Sequence, residues 1–292
     1  MYDCRMKTLS IKARLRHFAK QVLKGMGRKP GLYRRTRDLL YEPRAYEALR
    51  ARSLDDPGDR EMRAYTAEQP SPHYHALIRL YTDMHTHGYQ AGADRVAAEK
   101  VYAGSTLRRY AHPIRRVFAD HQVSSALDYG AGKGENYKTH EPFRVAETGE
   151  VISDLKSFWG VDHIRPFDPA LGDEIPQDTY DAVLCTDVLE HVFAADVPWV
   201  VDGLFARAKK VVFVTVSCRL ANARIPTGEQ AHITLRAPAW WAGVFHATAN
   251  RHPDVDYVLC CDAPDIKGNH ENFWFAREGY ERRVTPDTTF SR

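Results

Sequence analysis

A short strand that runs directly into three closely spaced glycines constrains the fold of this chain more than any other sequence feature. Residues 125–129 (SALDY) predict a buried strand, and residues 130–134 (GAGKG) follow it immediately. Glycines at a strand end let the backbone turn sharply and approach a ligand, and the N-terminus of a following helix supplies unpaired N–H groups. The segment therefore predicts a ligand-binding turn at the carboxyl edge of a sheet.

The segment from residue 123 to residue 292 alternates strand patterns with helix patterns. Residues 210–216 (KVVFVTV) are rich in β-branched side chains, which is typical of a strand buried on both faces of a parallel sheet. The further strand candidates are residues 180–186, 255–260 and 272–276, and the helix candidates are residues 197–208 and 240–248. This alternation predicts an α/β domain with a doubly wound, mostly parallel sheet.

The N-terminal segment differs from the rest of the chain in charge. Residues 1–44 hold 13 Lys or Arg against 3 Asp or Glu, a net charge of +10, whereas the remaining residues carry −7. Ile11, Leu15, Phe18 and Val22 lie on one face of a predicted helix, which glycines and a proline then end. We predict a basic amphipathic helix and linker over residues 1–40 and a helical extension or cap over residues 41–122.

The predicted basic helix has three candidate partners. It can pack on the body of the protein, attach peripherally to an anionic membrane through residues 1–30, or contact the phosphates of a nucleic acid. A nucleic acid would leave the apolar stripe of the helix uncovered. The sequence therefore favours lipid or the protein's own body.

Length and composition limit the class of protein. A chain of 292 residues with 43% hydrophobic residues fits one large α/β domain with an extension. The longest apolar run, residues 211–216, is far shorter than the roughly 20 residues that cross a bilayer, and no secretory signal is recognisable. The five cysteines form no CxxC pair, so neither a disulfide framework nor a zinc ribbon is indicated. We therefore expect a cytoplasmic protein.

The glycine motif resembles that of the class I S-adenosylmethionine-dependent methyltransferases. A dinucleotide-binding loop has GxGxxG spacing, whereas here the third glycine comes one residue early and an acid stands two residues before the first glycine. The resemblance implies a Rossmann-like class I fold with a seven-stranded sheet and S-adenosyl-L-methionine as cofactor. It implies a cofactor-binding loop that contains Asp128, Tyr129, Gly130, Gly132 and Gly134. Asp168, expected at the end of the next strand, would accept hydrogen bonds from the ribose hydroxyls.

A second motif extends the resemblance. Residues 181–192 (DAVLCTDVLEHV) are similar to the fourth-strand motif of the family, in which cofactor and acceptor meet. Together with LDYGAGKG and AHITLRAPAWW, this string resembles a bacterial and phage subgroup. It implies that Asp187 contacts the cofactor and that Asp187, Glu190 and His191 form the catalytic set.

Two intervals depart from the family pattern. Asp168 follows Gly134 by 34 positions, which indicates an insertion. Asp181 follows Asp168 by only 13 positions, which indicates that the usual third strand is shortened or missing.

Asp187, Glu190 and His191 are spaced to share one helical face, and His232 follows later. Some O-methyltransferases carry ExxEH with a later His and bind a divalent metal there, whereas this chain has DxxEH. Carboxylates and imidazoles suit Mg²⁺, Mn²⁺ or Zn²⁺. Three interpretations stay open, namely a divalent metal site, His191 as a metal-free base or substrate-orienting group, and a structural cluster.

The predicted activity is methyl transfer to an oxygen, less favourably a nitrogen, of a small molecule or glycan. The fourth-strand motif lacks an NPPY-like string, which argues against methylation of the adenine amino group. The alternatives are a nucleic-acid methyltransferase that uses the basic N-terminal arm and a non-catalytic binding or scaffolding subunit with the S-adenosylmethionine-binding fold. A dehydrogenase is disfavoured by the glycine spacing.

Overall fold

The computed structural model describes residues 65–91, 94–102, 105–138, 142–145, 149–221, 225, 230–264 and 270–277. The basic helix and linker predicted for residues 1–40 and the first part of the helical extension lie outside these residues. The later part of the extension and most of the α/β domain lie within them.

The described part of the extension begins with helix α1 (Pro72–His87). Ser71 caps this helix, since its side chain accepts a hydrogen bond from the backbone N–H of Tyr74, and Gly88 ends it with a φ of 73°. A two-stranded antiparallel hairpin, β1 (Tyr89–Ala91) and β2 (Asp94–Val96), follows. Two 3-10 turns (Ala98–Lys100 and Ser105–Tyr110) then lead into helix α2 (Ala111–Asp120). The described part of the extension is therefore not helical throughout, in contrast to the prediction, because a hairpin and two 3-10 turns lie between α1 and α2.

The predicted mostly parallel sheet is confirmed, with six strands in the described residues where seven were expected. In spatial order the strands are β10 (His270–Ala276), β9 (Asp256–Pro264), β8 (Ala208–Ser217), β7 (Tyr180–Thr186), β3 (Ser125–Tyr129) and β6 (His163–Phe167). Only β10 is antiparallel to its neighbour. The segment between β6 and β7 forms a 3-10 turn (Pro169–Leu171) and no strand, which accounts for the smaller sheet.

The predicted insertion lies between β3 and β6. It consists of helix α3 (Glu135–Lys138), the antiparallel strands β4 (Phe143–Arg144) and β5 (Val151–Ile152), and helix α4 (Leu155–Trp159). The two remaining helices are α5 (Val197–Arg207) and α6 (Pro238–Ala249).

Apolar side chains cover both faces of the sheet. In β7, Val183 and Cys185 pack in the cluster that contains α5 and α6, whereas Ala182 and Leu184 pack in the cluster that contains α2 and α4. Successive residues of a strand point to opposite faces, so a strand covered on both sides is apolar throughout. Among the described helices, none combines the length and the apolar character that a membrane span requires.

Candidate functional site

A cavity lies between helix α1 and the carboxyl ends of β3, β6 and β7. It contains about 660 Å³ of unfilled space, including the part that is open to solvent. Tyr74, Leu77, Ile78, Tyr81 and His85 line it from α1. Their spacing of three or four residues places them on one helix face. The extension therefore forms one wall of the cavity and the strand ends form the other.

The glycine turn after β3 owes its composition to close packing within the chain. Gly130, Gly132 and Gly134 have φ values of 79°, 55° and 64°, in the left-handed region that favours glycine. A Cβ on Gly132 would collide with the backbone carbonyl of Tyr102, and one on Gly130 would collide with the Val188 side chain. Gly130 lines the cavity, whereas the open side of Gly132 faces the extension.

Asp168, the acid predicted at the end of the next strand, lies beside the glycine turn. Its Oδ2 accepts a hydrogen bond from the Gly132 N–H at 2.9 Å, and its Oδ1 accepts one from the Ala170 N–H at 2.8 Å. Burial raises the pKa of this carboxyl above its ordinary value, although the two backbone donors oppose the shift. Asp168 therefore connects the turn after β3 to the turn after β6, and it lines the cavity.

Asp128 and Tyr129 occupy different positions at the end of β3. Tyr129 lines the cavity and packs its ring against Phe167 at 5.1 Å between centroids. Asp128 is buried and accepts a hydrogen bond from the Tyr137 hydroxyl at 2.9 Å, which holds α3 against β3. Burial raises the pKa of Asp128 to about 7. Asp128 thus bonds β3 to α3 and is not among the residues that line the cavity.

Asp187 follows β7 with a backbone conformation that non-glycine residues rarely adopt. Its φ is 53°, its N–H donates to the Thr215 carbonyl at 3.1 Å, and its Oδ1 accepts from the Thr215 hydroxyl at 2.9 Å. Tyr102 has a φ of 47° and lines the same cavity. Such backbone strain is concentrated at functional sites in proteins.

Three side chains converge like metal ligands, and one of them, His191, lines the cavity. Glu190, His191 and His232 each offer a ligand atom, and these atoms lie within 4.8 Å of one another. Two ligand atoms on opposite sides of one cation lie at most about 4.4 Å apart. Small side-chain movements would therefore bring these three ligand atoms to bonding distance of one ion. The Glu190 Oε1 accepts from the Ser217 N–H at 2.9 Å, while its buried Oε2 has no hydrogen-bond partner among the described residues.

The hydrogen bonds of the two histidines determine which ring nitrogen carries the proton. Nδ1 of His191 lies 2.9 Å from the Ala231 carbonyl, and Nδ1 of His232 lies 2.5 Å from the Arg219 carbonyl. A carbonyl oxygen only accepts, so both Nδ1 atoms carry the proton and both Nε2 atoms keep a lone pair. Burial lowers the pKa of His191 to about 4 and that of His232 to about 3. Both rings are neutral at pH 7, and metal-ligating histidines commonly show this arrangement.

Asp187 is not a member of this cluster, in contrast to the expectation from spacing. That expectation required a helix that begins at the end of β7. The chain instead turns at Asp187 with its positive φ and then forms one short 3-10 turn (Leu189–His191). Glu190, His191 and His232 are brought together as predicted, and Asp187 lines the neighbouring cavity wall.

Sequence reasoning did not identify the residues through which the extension lines the cavity. Tyr81, His85 and Tyr102 line the cavity, and the Tyr81 hydroxyl lies 2.8 Å from Nδ1 of His191. The signal in the sequence was a helix pattern with polar aromatic side chains on its apolar face. Such a pattern predicts a packed helix but does not indicate which surface covers it.

No protein-family model matches this chain, and no curated protein matches it significantly in sequence. The residues of the cavity are therefore the basis for the assignment of function.

Proposed function

We propose that this chain is an S-adenosylmethionine-dependent methyltransferase whose cofactor binds in the cavity at the carboxyl edge of the sheet. The observation that carries the proposal is the hydrogen bond from the Gly132 N–H to Asp168. It joins the glycine turn after β3 to the acid after β6 at one cavity wall. In sheets of this kind, ligands bind outside the carboxyl ends of the strands, and an acid placed like Asp168 accepts from ribose hydroxyls.

The chemistry of the cavity wall fits this cofactor. S-adenosylmethionine supplies a methyl group bonded to a positively charged sulfur. Tyr74, Tyr81, Tyr102 and Tyr129 offer aromatic surface, which suits a planar base and a cationic centre. A carboxylate offers about four acceptor sites, and the Gly132 and Ala170 N–H groups use two of those on Asp168. Acceptor capacity for two ligand hydroxyls therefore stays on Asp168.

The Glu190, His191 and His232 cluster supports an oxygen acceptor on a small molecule or glycan and a divalent cation that binds it. The unpartnered Glu190 Oε2 and the two Nε2 lone pairs form a donor set of one carboxylate and two imidazoles. This set suits Mg²⁺, Mn²⁺ or Zn²⁺. A cation bound there would supply positive charge that favours loss of the proton from an acceptor hydroxyl.

Titration calorimetry with S-adenosylhomocysteine tests the cofactor. The full chain is expected to bind one equivalent, and Asp168→Ala is expected to bind at least about tenfold more weakly because an acceptor for the ribose is lost. Asp202→Ala, an exposed carboxylate paired with Arg251, is the matched control and should bind like the wild type. Saturable binding of NAD⁺ in place of S-adenosylhomocysteine would contradict the proposal.

Titration with Mn²⁺ tests the cation. Glu190→Gln and His232→Ala are each expected to weaken Mn²⁺ binding by at least about tenfold, because each removes one ligand. His252→Ala is the matched control, since His252 pairs with Asp202 away from the cluster. If the wild type binds no divalent cation, the metal part of the proposal is wrong. His191 Nε2 then stands as the base that accepts the proton of the acceptor.

A further inference from the structure

His85 has a buried nitrogen that the protein itself leaves without a partner. The residue is 6% exposed, and its Nδ1 makes no hydrogen bond to any described residue. Buried polar atoms are rarely left unpaired in native proteins, so each exception calls for a physical explanation. His85 lines the cavity from α1, so a ligand there would contact the imidazole, and a small rotation of the ring would turn the buried Nδ1 toward that ligand.

Helix α1 is attached to the turn that Asp168 begins. The Thr82 hydroxyl donates to the Ala170 carbonyl at 2.7 Å, and Asp168 is the capping residue of the same 3-10 turn. His85 lies three residues after Thr82 and therefore on the same side of the helix. Both His85 and Asp168 line the cavity. Burial lowers the pKa of His85, and the Asp168 carboxylate partly opposes this lowering.

Tyr102 completes the surroundings of His85. Its ring centroid lies 5.4 Å from that of His85, and its backbone carbonyl covers Gly132. The imidazole is thus held between the Tyr102 ring and the turn that carries Asp168. His85 and Asp168 line the same cavity, and each keeps hydrogen-bonding capacity that the described residues do not use.

We propose that His85 and Asp168 together bind the two neighbouring hydroxyls of a ribose, so that helix α1 contributes directly to nucleoside recognition. This inference rests on the proposed function. One hydroxyl donates to the Asp168 carboxylate and the other exchanges a hydrogen bond with Nδ1 of His85. The pairing requires two hydroxyls on adjacent carbons, which a ribose supplies and a deoxyribose lacks.

The same face of α1 also reaches the acceptor end of the site. Tyr81 lies four residues before His85, a rise of about 6 Å along the helix, and its hydroxyl contacts His191. One helix face thus carries the ribose-binding group and a group bonded to the His191 cluster. A ligand held at His85 would be placed at a set distance from that cluster.

The test compares S-adenosylhomocysteine with its 2′-deoxy and 3′-deoxy forms by titration calorimetry on the full chain. The wild type is expected to bind each deoxy form about tenfold more weakly than the parent. His85→Leu should lose discrimination against one deoxy form, and His85→Asn, which places a polar group near the Nδ1 position, should regain part of it. His87→Leu, an exposed histidine of the same helix bonded to Asp83, should behave like the wild type.

The outcomes separate the two proposals. If the wild type binds S-adenosylhomocysteine but His85→Leu retains full affinity and full discrimination, the role of His85 is wrong and the proposed function stands. If His85→Leu does not fold, the test of His85 rests on the wild-type preference for the parent ligand over its deoxy forms and on the His85→Asn variant. Equal wild-type affinity for all three ligands overturns the inference. No binding of any of the three ligands overturns the proposed function as well.

Discussion

The phenolic oxygen of Tyr81 lies 2.8 Å from Nδ1 of His191, and this contact bonds helix α1 to the turn after β7. Nδ1 of His191 also lies 2.9 Å from the Ala231 carbonyl. The orientation of the His191 ring therefore depends on a helix that precedes the α/β domain in sequence. The extension and the carboxyl edge of the sheet form one site.

The first prediction concerns the Tyr81 hydroxyl. Tyr81→Phe removes one partner of Nδ1 but keeps the ring, which packs near Tyr102. We expect Mn²⁺ to bind about tenfold more weakly, because partners behind a ligand orient it, and we expect stability to fall by about 1 kcal/mol. Tyr137→Phe, which loses a bond to Asp128 away from the cluster, should lose stability with unchanged Mn²⁺ affinity. Equal Mn²⁺ affinity of Tyr81→Phe and wild type would show that this contact does not orient His191.

The second prediction concerns the attachment of α1. Asp196 is fully buried and accepts hydrogen bonds from the Ser71 N–H at 3.0 Å, the Ser71 hydroxyl at 2.5 Å and the Trp199 Nε1 at 2.9 Å. Asp196→Ala leaves three donors without an acceptor, so we expect a loss of about 2–4 kcal/mol in the free energy of unfolding. Urea denaturation measures it, and hydrogen exchange should show lost protection at the start of α1.

Asp202→Ala is the matched control for Asp196→Ala. Asp202 is 42% exposed and pairs with Arg251, so its loss should cost less than about 1 kcal/mol. Similar losses for the two variants would mean that Asp196 does not anchor α1.

The parts of the fold that could be predicted are those whose pattern is local. The strand and glycine turn at residues 125–134 and the apolar run of β8 each carry their own signal, because backbone conformation and burial on both faces restrict the residue types. The number of strands in the sheet was harder to predict from the sequence. A short interval between Asp168 and β7 fits either a small strand or a turn, and only packing decides between them.

The site was predictable where it depends on strand ends and not where it depends on distant packing. Asp168 followed from its place after a strand next to the glycine turn. The proposed helical face for Asp187 did not hold, because a positive φ at that residue turns the chain before Glu190. The positions of His85 and Tyr81 in the cavity wall depend on which surface covers α1, and spacing within a helix does not encode that surface.

The third prediction concerns Gly132. Gly132 and Gly160 have φ values of 55° and 68°, so alanine at either position adopts a strained backbone at a cost of about 1–2 kcal/mol. Only at Gly132 would the added Cβ also collide with the Tyr102 carbonyl, whereas nothing lies within 4 Å of that position at Gly160. Thermal and urea unfolding should show Gly132→Ala about 1–3 kcal/mol less stable than Gly160→Ala. Equal stability would mean that the extension yields to the new side chain.

The fourth prediction concerns residues 1–30, whose interpretation comes from sequence alone. Deletion of these residues is expected to leave S-adenosylhomocysteine affinity unchanged, because the part of the cavity wall that the structure describes begins within α1 at Tyr74. Co-sedimentation with vesicles that contain phosphatidylserine should fall, since each basic residue near an anionic surface contributes about 1 kcal/mol of attraction. Vesicles of phosphatidylcholine alone are the control. If the shortened chain fails to fold, Ile11, Leu15, Phe18 and Val22 belong to the core and the attachment hypothesis is wrong.

The last prediction concerns the pH dependence that Asp128 contributes. Burial raises its pKa from 3.8 to about 7, so the folded state holds this proton more tightly than the unfolded state does. Protonation as the pH falls through 7 therefore stabilises the fold, and the charged form above pH 7 is destabilising. Asp128→Asn keeps an oxygen that accepts from the Tyr137 hydroxyl but carries no charge. We expect the variant to be more stable than the wild type at pH 8, and this advantage to shrink by roughly 1.4 kcal/mol per pH unit between pH 7 and pH 5.

Urea denaturation of both proteins at several pH values measures this difference. The pH-dependent contributions of the groups that the two proteins share, His191 and His232 among them, cancel in the comparison. Asp202→Asn is the control, because the pKa shift of Asp202 on folding has the opposite sign to that of Asp128. Arg251 and His252 lower the pKa of Asp202 against the effect of burial, so its contribution to stability is present at neutral pH and is lost only as the pH falls through its lowered folded-state pKa. Its stability relative to the wild type should therefore stay constant from pH 8 to pH 6. A constant difference for Asp128→Asn over the same range would show that Asp128 is already ionised without penalty in the fold, and that the buried contact with Tyr137 is enough to hold its charge.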